Sequence, residues 1–219
     1  MPIDFYYIND SPNCRVVSMV AEYLKIPLNL KLVDLWQSCD HLKPEFEKLN
    51  PQKCVPTIVD DGFSLGESRA IIRYLANQYA PDNEIYPKCA KKRAIVDQLL
   101  EFDHGSLYKT LNEWCAPYFM EKKPLDAELE KKFTKHLTVL NDHFLKKHKY
   151  VAADHLTLAD FSILSTISGS LCFGYDLYKY ENIKAWLDRL ERELPFYDKA
   201  VNEFVSSMKK WIQENIKSE

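Results

Sequence analysis

Near the start of the chain stands Ser11-Pro12-Asn13-Cys14. The spacing is that of a dithiol redox site, with a serine where the first cysteine would be. A serine cannot form the mixed disulfide through which such sites exchange thiols. It can hold a thiolate that belongs to another molecule. Serine before proline is also a common helix N-cap, with proline in the first turn, and the two readings do not exclude one another. A hydroxyl at a helix N-terminus lies among unpaired N–H groups at the positive end of the dipole, so an anionic sulfur brought there would be stabilised. A free thiol has a pKa of ~8.5 and thiolate sites commonly fall below 7.5. A shift of ~2 units requires ~2.7 kcal/mol of preference for the thiolate, within reach of a charge-assisted hydrogen bond and a helix end. Cys14, one turn on, reads as structural.

Other residues have types that can do chemistry. Val55-Pro56 is a strand start, because proline does not sit in mid-sheet. Glu67-Ser68 precedes Arg69-Ala70-Ile71 and can cap a helix. Asp103 falls on an apolar helical stripe three residues after Leu100, and a carboxylate there needs a partner. His104, Tyr108, Leu111, Cys115 and Phe119 share one helical face. Such a stripe is core by default. Val96, Leu100, Leu107 and Trp114 already supply a core stripe on the same segment, so the second face reads as a pocket wall. Phe204, Met208 and Trp211 can close a roof over it. Aromatic and methionine side chains favour flat, apolar, varied ligands.

These residues must be positioned by two kinds of secondary structure. Phe5 to Ile8 is a buried strand, and Val16, Val17, Val20 and Leu24 give the helix after Ser11 an inner face. Leu28, Leu30 and Leu32 alternate with Asn29 and Lys31 in a second strand, so strand–helix–strand implies a parallel pair. A polar connection from Gln37 to Lys43 and a short helix over Pro44 to Leu49 follow. Two apolar runs around Asp60-Asp61-Gly62 read as a hairpin. Glu67 to Tyr79 is a helix with Ala70, Ile71, Tyr74 and Leu75 on one face. Ala80 to Lys88, with Pro81 and Pro87, reads as a linker. Beyond it the periods are helical throughout: Leu129, Phe133, Leu137, Leu140 and Phe144; Ile183, Trp186, Leu187, Leu190 and Leu194; and Val201, Phe204, Val205, Met208 and Ile212. Thr157-Leu158-Ala159-Asp160 is a capping box with Asp for Glu, flanked by Leu156 and Phe161 as a staple.

The 219 residues, 46% apolar and 28% charged, have the composition of a soluble globular protein. Lys and Arg number 29 against 32 Asp and Glu, so there is no broad basic field to attract nucleic acid or an anionic membrane. The N-terminus lacks the basic and apolar regions of a signal peptide and reads as a cytosolic start. No apolar run approaches the ~18 residues of a membrane span. Six cysteines without C-x-x-C spacing read as reduced, mostly buried thiols rather than a disulfide framework or zinc site.

Taken in order, "YYINDSPNCR", "HLKPEFEKLNPQ", "VPTIVDDG", "GESRAIIRYLA", "LYKT" and "LTLADFSIL" resemble the cytosolic glutathione transferases, most closely the insect delta and epsilon classes. The resemblance covers essentially the whole chain. It implies a thioredoxin-like α/β domain over residues 1–80, a linker over 81–88 and an all-helical domain over 89–219. It implies conjugation of glutathione to hydrophobic electrophiles, as in detoxification of xenobiotics or endogenous lipids, by a cytoplasmic homodimer without a metal. Dimer contacts would involve the Glu67–Tyr79 helix and the helix starting near Ala90. Ser11 becomes the catalytic residue, hydrogen-bonded to the glutathione sulfur. A cis Pro56 would turn the Val55 backbone toward the cysteinyl part of glutathione. Ser68 and the helix-start N–H groups, with Arg69 beside them, would take the γ-glutamyl carboxylate, and Glu67 the ammonium. Asp103 would meet a dimer neighbour's glutathione ammonium or make a plain intrahelical ion pair. Pro12 and Tyr108 are the implied electrophile contacts.

One position departs from the family pattern. Where these classes have histidine after "NPQ", the chain has Lys53, followed by Cys54. A longer donor with a full charge can still hold the glycyl carboxylate, with His41 on the preceding loop sharing that role. The alternative is a surface lysine with no role. Two functional rivals stand beside conjugation. A glutathione-dependent reductase or peroxidase would prefer cysteine at position 11, and a non-catalytic carrier of hydrophobic ligands would use the same apolar stripe.

Overall fold

The apolar run at the start of the chain becomes β1 (Ile3–Tyr7), and its alternate residues meet different partners. Phe5 is fully buried, while the Tyr6 ring meets Phe46 edge-on. The computed structural model describes residues 2–216. They form two units that divide between Tyr86 and Pro87.

In the first unit, α1 (Pro12–Tyr23) follows β1 and returns the chain to β2 (Leu28–Leu32), which pairs parallel with β1. A 3-10 turn (Asp40–Leu42) leads into α2 (Pro44–Leu49), with the expected bounds. β3 (Thr57–Asp60) runs antiparallel to β1, and β4 (Phe63–Leu65) antiparallel to β3, giving the order β2-β1-β3-β4. The two residues between β3 and β4, Asp61 and Gly62, both have positive φ, 47° and 84°, as a type I′ hairpin turn requires. α3 (Ser68–Tyr79) closes the unit. It packs beside α1 over a core of Phe5, Val17, Val20, Ile58, Ile71, Ile72 and Leu75. Tyr74 and Tyr79 donate to Asp60 at 2.6 and 2.5 Å and so tie α3 to the hairpin.

Two expectations about faces need correction. The inner stripe of α3 is Ser68, Ile71, Ile72, Leu75 and Ala76, with Ala70 and Tyr74 only half-buried at its margin. On β2 the leucines alternate as read, but Leu30 and Leu32 are 57% and 64% exposed. β2 is an edge strand, and alternation reports pleat, not which strand the helices cover.

The second unit is helical throughout. α4 (Ala90–Phe102) and α5 (Lys109–Glu121) form one continuous run joined by a π turn at Asp103–Tyr108. Val96, Leu100, Leu107 and Trp114 are buried along it, as the spacing predicts, and Leu111, read as part of a pocket wall, is buried as well. α6 (Ala127–Val139) adds Phe133 and Leu137, and its N-cap Asp126 accepts from Glu128 and Leu129 N–H. α7 (Leu158–Ser168) is buried on every side, as the central helix of a bundle is. α8 (Glu181–Glu193) inserts Ile183, Trp186, Leu187 and Leu190. α9 (Phe204–Asn215) buries none of its residues fully. Phe204, Val205, Met208 and Ile212 are half-buried, and only Val201, in the π turn before it, enters the core. Of the six free cysteines three are buried, fewer than expected; Cys39 and Cys54 are half-buried and Cys89 is exposed.

The capping box is present at the start of α7. Its Asp160 is wholly buried and accepts four hydrogen bonds: from Thr157 N (2.8 Å), Thr157 Oγ1 (2.9 Å), Val151 N (3.0 Å) and Trp186 Nε1 (2.9 Å). Burial pushes its carboxyl up, and the donors oppose that. One carboxylate thus joins α7, α8 and the loop before α7. Asp160→Ala would strand several buried donors and is expected to cost about 3 kcal/mol or more. The readout is a fall in the urea midpoint at unchanged m-value; a loss below about 1 kcal/mol would mean that water satisfies those donors.

Candidate functional site

Ser11 occupies the N-cap of α1 with extended backbone, φ −85° and ψ 122°. Its Oγ accepts from Cys14 N–H at 3.2 Å, and its carbonyl accepts from Arg15 N–H at 2.9 Å. In the capping bond the hydroxyl is an acceptor, so that bond does not consume its own hydrogen. Cys14 is buried, and burial pushes its thiol up more than the Ile8 backbone and Ser11 beside it pull it down. Raised in this way, the thiol is held away from the thiolate form, in which it would compete for the Ser11 proton. Pro12 follows at the first helical position.

The strings around Val55 and Glu67 carry unusual backbone. Val55-Pro56 is cis, Lys53 has φ 55°, and Glu67 has φ 62° with ψ 104°. Non-glycine residues held at positive φ cluster at ligand-binding and active sites. Glu67 is the N-cap residue of α3 but its side chain makes no capping bond, so helix capping, the plain reading of the Glu67-Ser68 pair, is not its role. Cys54 is half-buried, and its thiol is pushed up by burial and by the nearby Glu67 carboxylate, against the hydrogen bond from Asn50.

Two asparagines that sequence reasoning passed over hold these pieces. Asn50 is buried and donates through Nδ2 to Cys54 O (3.0 Å) and Thr57 Oγ1 (2.9 Å), while its Oδ1 accepts from Gln52 N–H (3.0 Å). It closes the turn that presents Val55. Gly66 lies against it, and a Cβ there would sit 3.0 Å from Asn50 Nδ2. Asn13 offers its Oδ1 to Ser68 Oγ at 3.3 Å and to the Arg69 guanidinium. Arg69 Nη1 also donates to Ser68 Oγ at 3.0 Å. The first turns of α1 and α3 are thereby joined, and Ser11, Ser68 and Arg69 belong to one framework. The only sequence signal was a polar residue in the first turn of a helix; its partners lie 55 and 56 residues away.

His41 lies in the 3-10 turn before α2, and its Nδ1 is buried with no hydrogen-bond partner among the described residues. That loop is organised by Asp34, whose carboxylate accepts from Trp36, Gln37 and Ser38 N–H at 2.8–2.9 Å. These bonds hold its carboxyl well below the usual range. Lys53 Nζ lies 3.1 Å from Glu47 Oε2 on α2.

In the helical unit, His104 and Tyr108 stack on each other within the π turn, ring centres 6.3 Å apart. π turns inside α-helices recur at functional sites. Further along the same run Leu111 and Cys115 are buried, so their part of the stripe is core. Phe119 packs on Phe173 and on Trp211, at 5.1 and 6.0 Å between ring centres. Phe204 and Met208 lie half-buried on α9, and Trp211 is 44% exposed. Asp103 is fully buried, and the Ser162 hydroxyl of α7 donates to its Oδ2, an interhelical bond that neither expected partner anticipated. Among the described residues no helix is long and apolar enough to cross a membrane, and no group of three or more His, Cys, Asp or Glu side chains is placed to hold a metal.

Residues 5–83 match the glutathione S-transferase N-terminal domain and residues 107–193 the glutathione S-transferase C-terminal domain. The chain belongs to the glutathione S-transferase family. It is similar to a delta-class glutathione transferase of Nilaparvata lugens, at 44% identity and a TM-score of 0.92, over 97% of this chain and 99% of that one. An epsilon-class enzyme of Musca domestica is 34% identical over 99% of this chain and 100% of its own, with a TM-score of 0.89. A diazinon-metabolizing transferase of the silkworm Bombyx mori is 28% identical over 95% and 100%, with a TM-score of 0.87. The thioredoxin-like first unit and helical second unit are the architecture of this family, and the chain is a transferase that uses glutathione.

Asn13→Ala removes the acceptor shared by Ser68 and Arg69 and is expected to destabilise the first unit by about 1–3 kcal/mol. Asn13→Asp keeps an acceptor and adds a charge that suits the guanidinium, so its thermal midpoint should stay near that of the unmodified chain. Equal loss in both variants would mean that Oδ1 does not hold this framework.

Proposed function

We propose that the enzyme joins glutathione through its sulfur to hydrophobic electrophiles, with Ser11 as the group that favours the thiolate. The observation that carries this reading is the Ser11 capping geometry: the side-chain oxygen accepts from Cys14 N–H, so the hydroxyl hydrogen can be donated to an anionic sulfur.

The residues fit the tripeptide by type. The start of α3 has no side-chain cap, which suits the γ-glutamyl α-carboxylate, with Ser68 and Arg69 beside it. Glu67 suits the ammonium. The Val55 backbone beside the cis proline suits the cysteinyl main chain. His41, whose buried Nδ1 has no partner among the described residues, and Lys53, drawn from Glu47, suit the glycyl carboxylate. Cys54 is placed near Glu67 as part of the same wall. Glutathione supplies the sulfur nucleophile. Ser11 lowers the free energy of its ionised form by a charge-assisted hydrogen bond at the positive end of α1, and the thiol proton leaves to solvent. A carbon–sulfur bond then forms as the leaving group departs with its electron pair. Rate gain comes from thiolate population and from holding both reactants together.

For the electrophile we assign Pro12, His104, Tyr108, Phe119, Phe204, Met208 and Trp211 as contacts, with Leu111 and Cys115 as the packed support behind them. The accessible aromatic and methionine surface suits varied apolar ligands, and a silkworm relative is described as metabolising diazinon. The enzyme is read as a cytoplasmic homodimer that detoxifies xenobiotics or endogenous lipids, paired through α3 and α4.

Thioether formation from glutathione and a dinitrobenzene halide tests this reading. Ser11→Ala should lower kcat by about 10²-fold, the loss of roughly 2.7 kcal/mol, with the affinity for glutathione mostly retained. Full activity in the variant would remove Ser11 from the chemistry. An unmodified chain that binds glutathione without conjugating would favour a carrier, and one that reduces a lipid hydroperoxide in preference to conjugating would favour a peroxidase.

A further inference from the structure

The helical unit has a second concave site that the transferase chemistry does not use. After the π turn at Leu140–Phe144 the chain reads Lys146-Lys147-His148-Lys149. These residues line a cavity of about 270 Å³ together with Asp154 and Arg189. Four permanent cations thus face one carboxylate, in a chain whose formal net charge is −3. The lysines are exposed, and none of the three has an ion-pair partner among the described residues. Asp154 does little to neutralise them: its Oδ1 accepts from Lys149 N–H at 3.0 Å and lies 3.9 Å from His148 Nδ1.

The cavity is framed by fixed groups. Arg189 donates through Nη1 to Lys149 O and lies over the Tyr150 ring, 5.5 Å from its centre. Tyr150 is buried and donates to Glu193, and its own N–H closes a turn on Ala153 O at 3.0 Å. The next residue, Val151, is held by Asp160. The loop is therefore tied at Tyr150, Val151 and Asp154, and the guanidinium is held with most of its donors uncommitted among the described residues. A planar fork set among flexible ammonium groups recognises oxyanions with several acceptor oxygens.

We propose that this cavity is a binding site for a small phosphorylated or sulfated molecule carrying two or more negative charges. Its volume is just below the range of about 300–1,000 Å³ typical of small-molecule sites. That suits a phosphate or sulfate group with a small organic part, and a guanidinium held in place on Lys149 O and the Tyr150 ring suits a discrete anion better than a lipid surface.

Inorganic pyrophosphate titrated into the full-length protein at constant ionic strength tests the proposal, followed by amide chemical shifts. Saturable shifts confined to residues 145–154 and 182–189 are expected. Lys149→Glu should weaken binding tenfold or more, and Lys147→Glu, at another exposed position, should do the same. Arg189→Lys, which keeps the charge without the fork, should weaken it several-fold. Conjugation of the dinitrobenzene halide should keep its unmodified kcat in all three variants, and binding is read independently of it, so failure of the proposed catalysis would leave this result interpretable. A response no larger than that to chloride overturns the proposal, as do shifts scattered over all surface lysines or unchanged affinity in both charge reversals. Binding to vesicles containing phosphatidylserine that pyrophosphate does not displace would also overturn it, in favour of a membrane surface.

Discussion

A helix must begin somewhere, and its first N–H groups have no partners within it. In this chain one of them, on Cys14, is taken by the oxygen of Ser11. Because that bond uses a lone pair, the capping role and the proposed chemical role are served by one conformation. The helix needs the oxygen, and a bound sulfur anion needs the hydrogen. The neighbouring thiol is kept neutral by burial, so the region carries the positive end of the helix without a resident anion to cancel it. The rest of the first unit can be understood as what keeps this helix start beside the other segments proposed to hold glutathione.

That task falls largely to residues without chemistry of their own. Asn13 links α1 to Ser68 and Arg69 at the start of α3, and Asn50 secures the turn before Val55. Glu67 and Lys53 occupy left-handed backbone, which costs of order 1–3 kcal/mol at a non-glycine residue and persists only where the surroundings enforce it. Local conformational preference was thus overridden on both segments assigned to glutathione. In the second unit Asp160, on α7, plays the organising part, gathering three donors from the loop before its helix and one from α8. The same residue holds Val151, next to the loop of the cationic cavity, so the bundle's polar hub and a surface feature share one anchor.

Much of the architecture was legible in residue order because its signals are local. The cap at Ser11, the Asp61-Gly62 turn, the Pro44–Leu49 helix and the apolar stripe of α8 each depend on neighbours within one or two turns, and each stands where its pattern put it. What escaped depends on distant contacts. Nothing near Asn13 announces Ser68 or Arg69, and nothing near Asp103 announces Ser162. Leu30 and Leu32 have the alternation of a half-buried strand, but their exposure follows from the position of β2 at the sheet edge. The stripe from His104 to Phe119 was treated as one face. The π turn divides it, leaving His104 and Tyr108 accessible while Leu111 and Cys115 are packed away. Hydrophobic periodicity assumes an unbroken helix and carries no mark of such a turn.

The decisive quantity is the ionisation of the glutathione thiol when it is bound. It can be followed by the ultraviolet absorbance of the thiolate as pH is raised, in the unmodified enzyme and in Ser11→Ala, each saturated with glutathione. If the capping hydroxyl stabilises the sulfur anion, the bound thiol should titrate below about 7.5 in the enzyme and return toward about 8.5 in the variant. An identical midpoint in the two proteins would show that Ser11 caps the helix and does nothing for the sulfur.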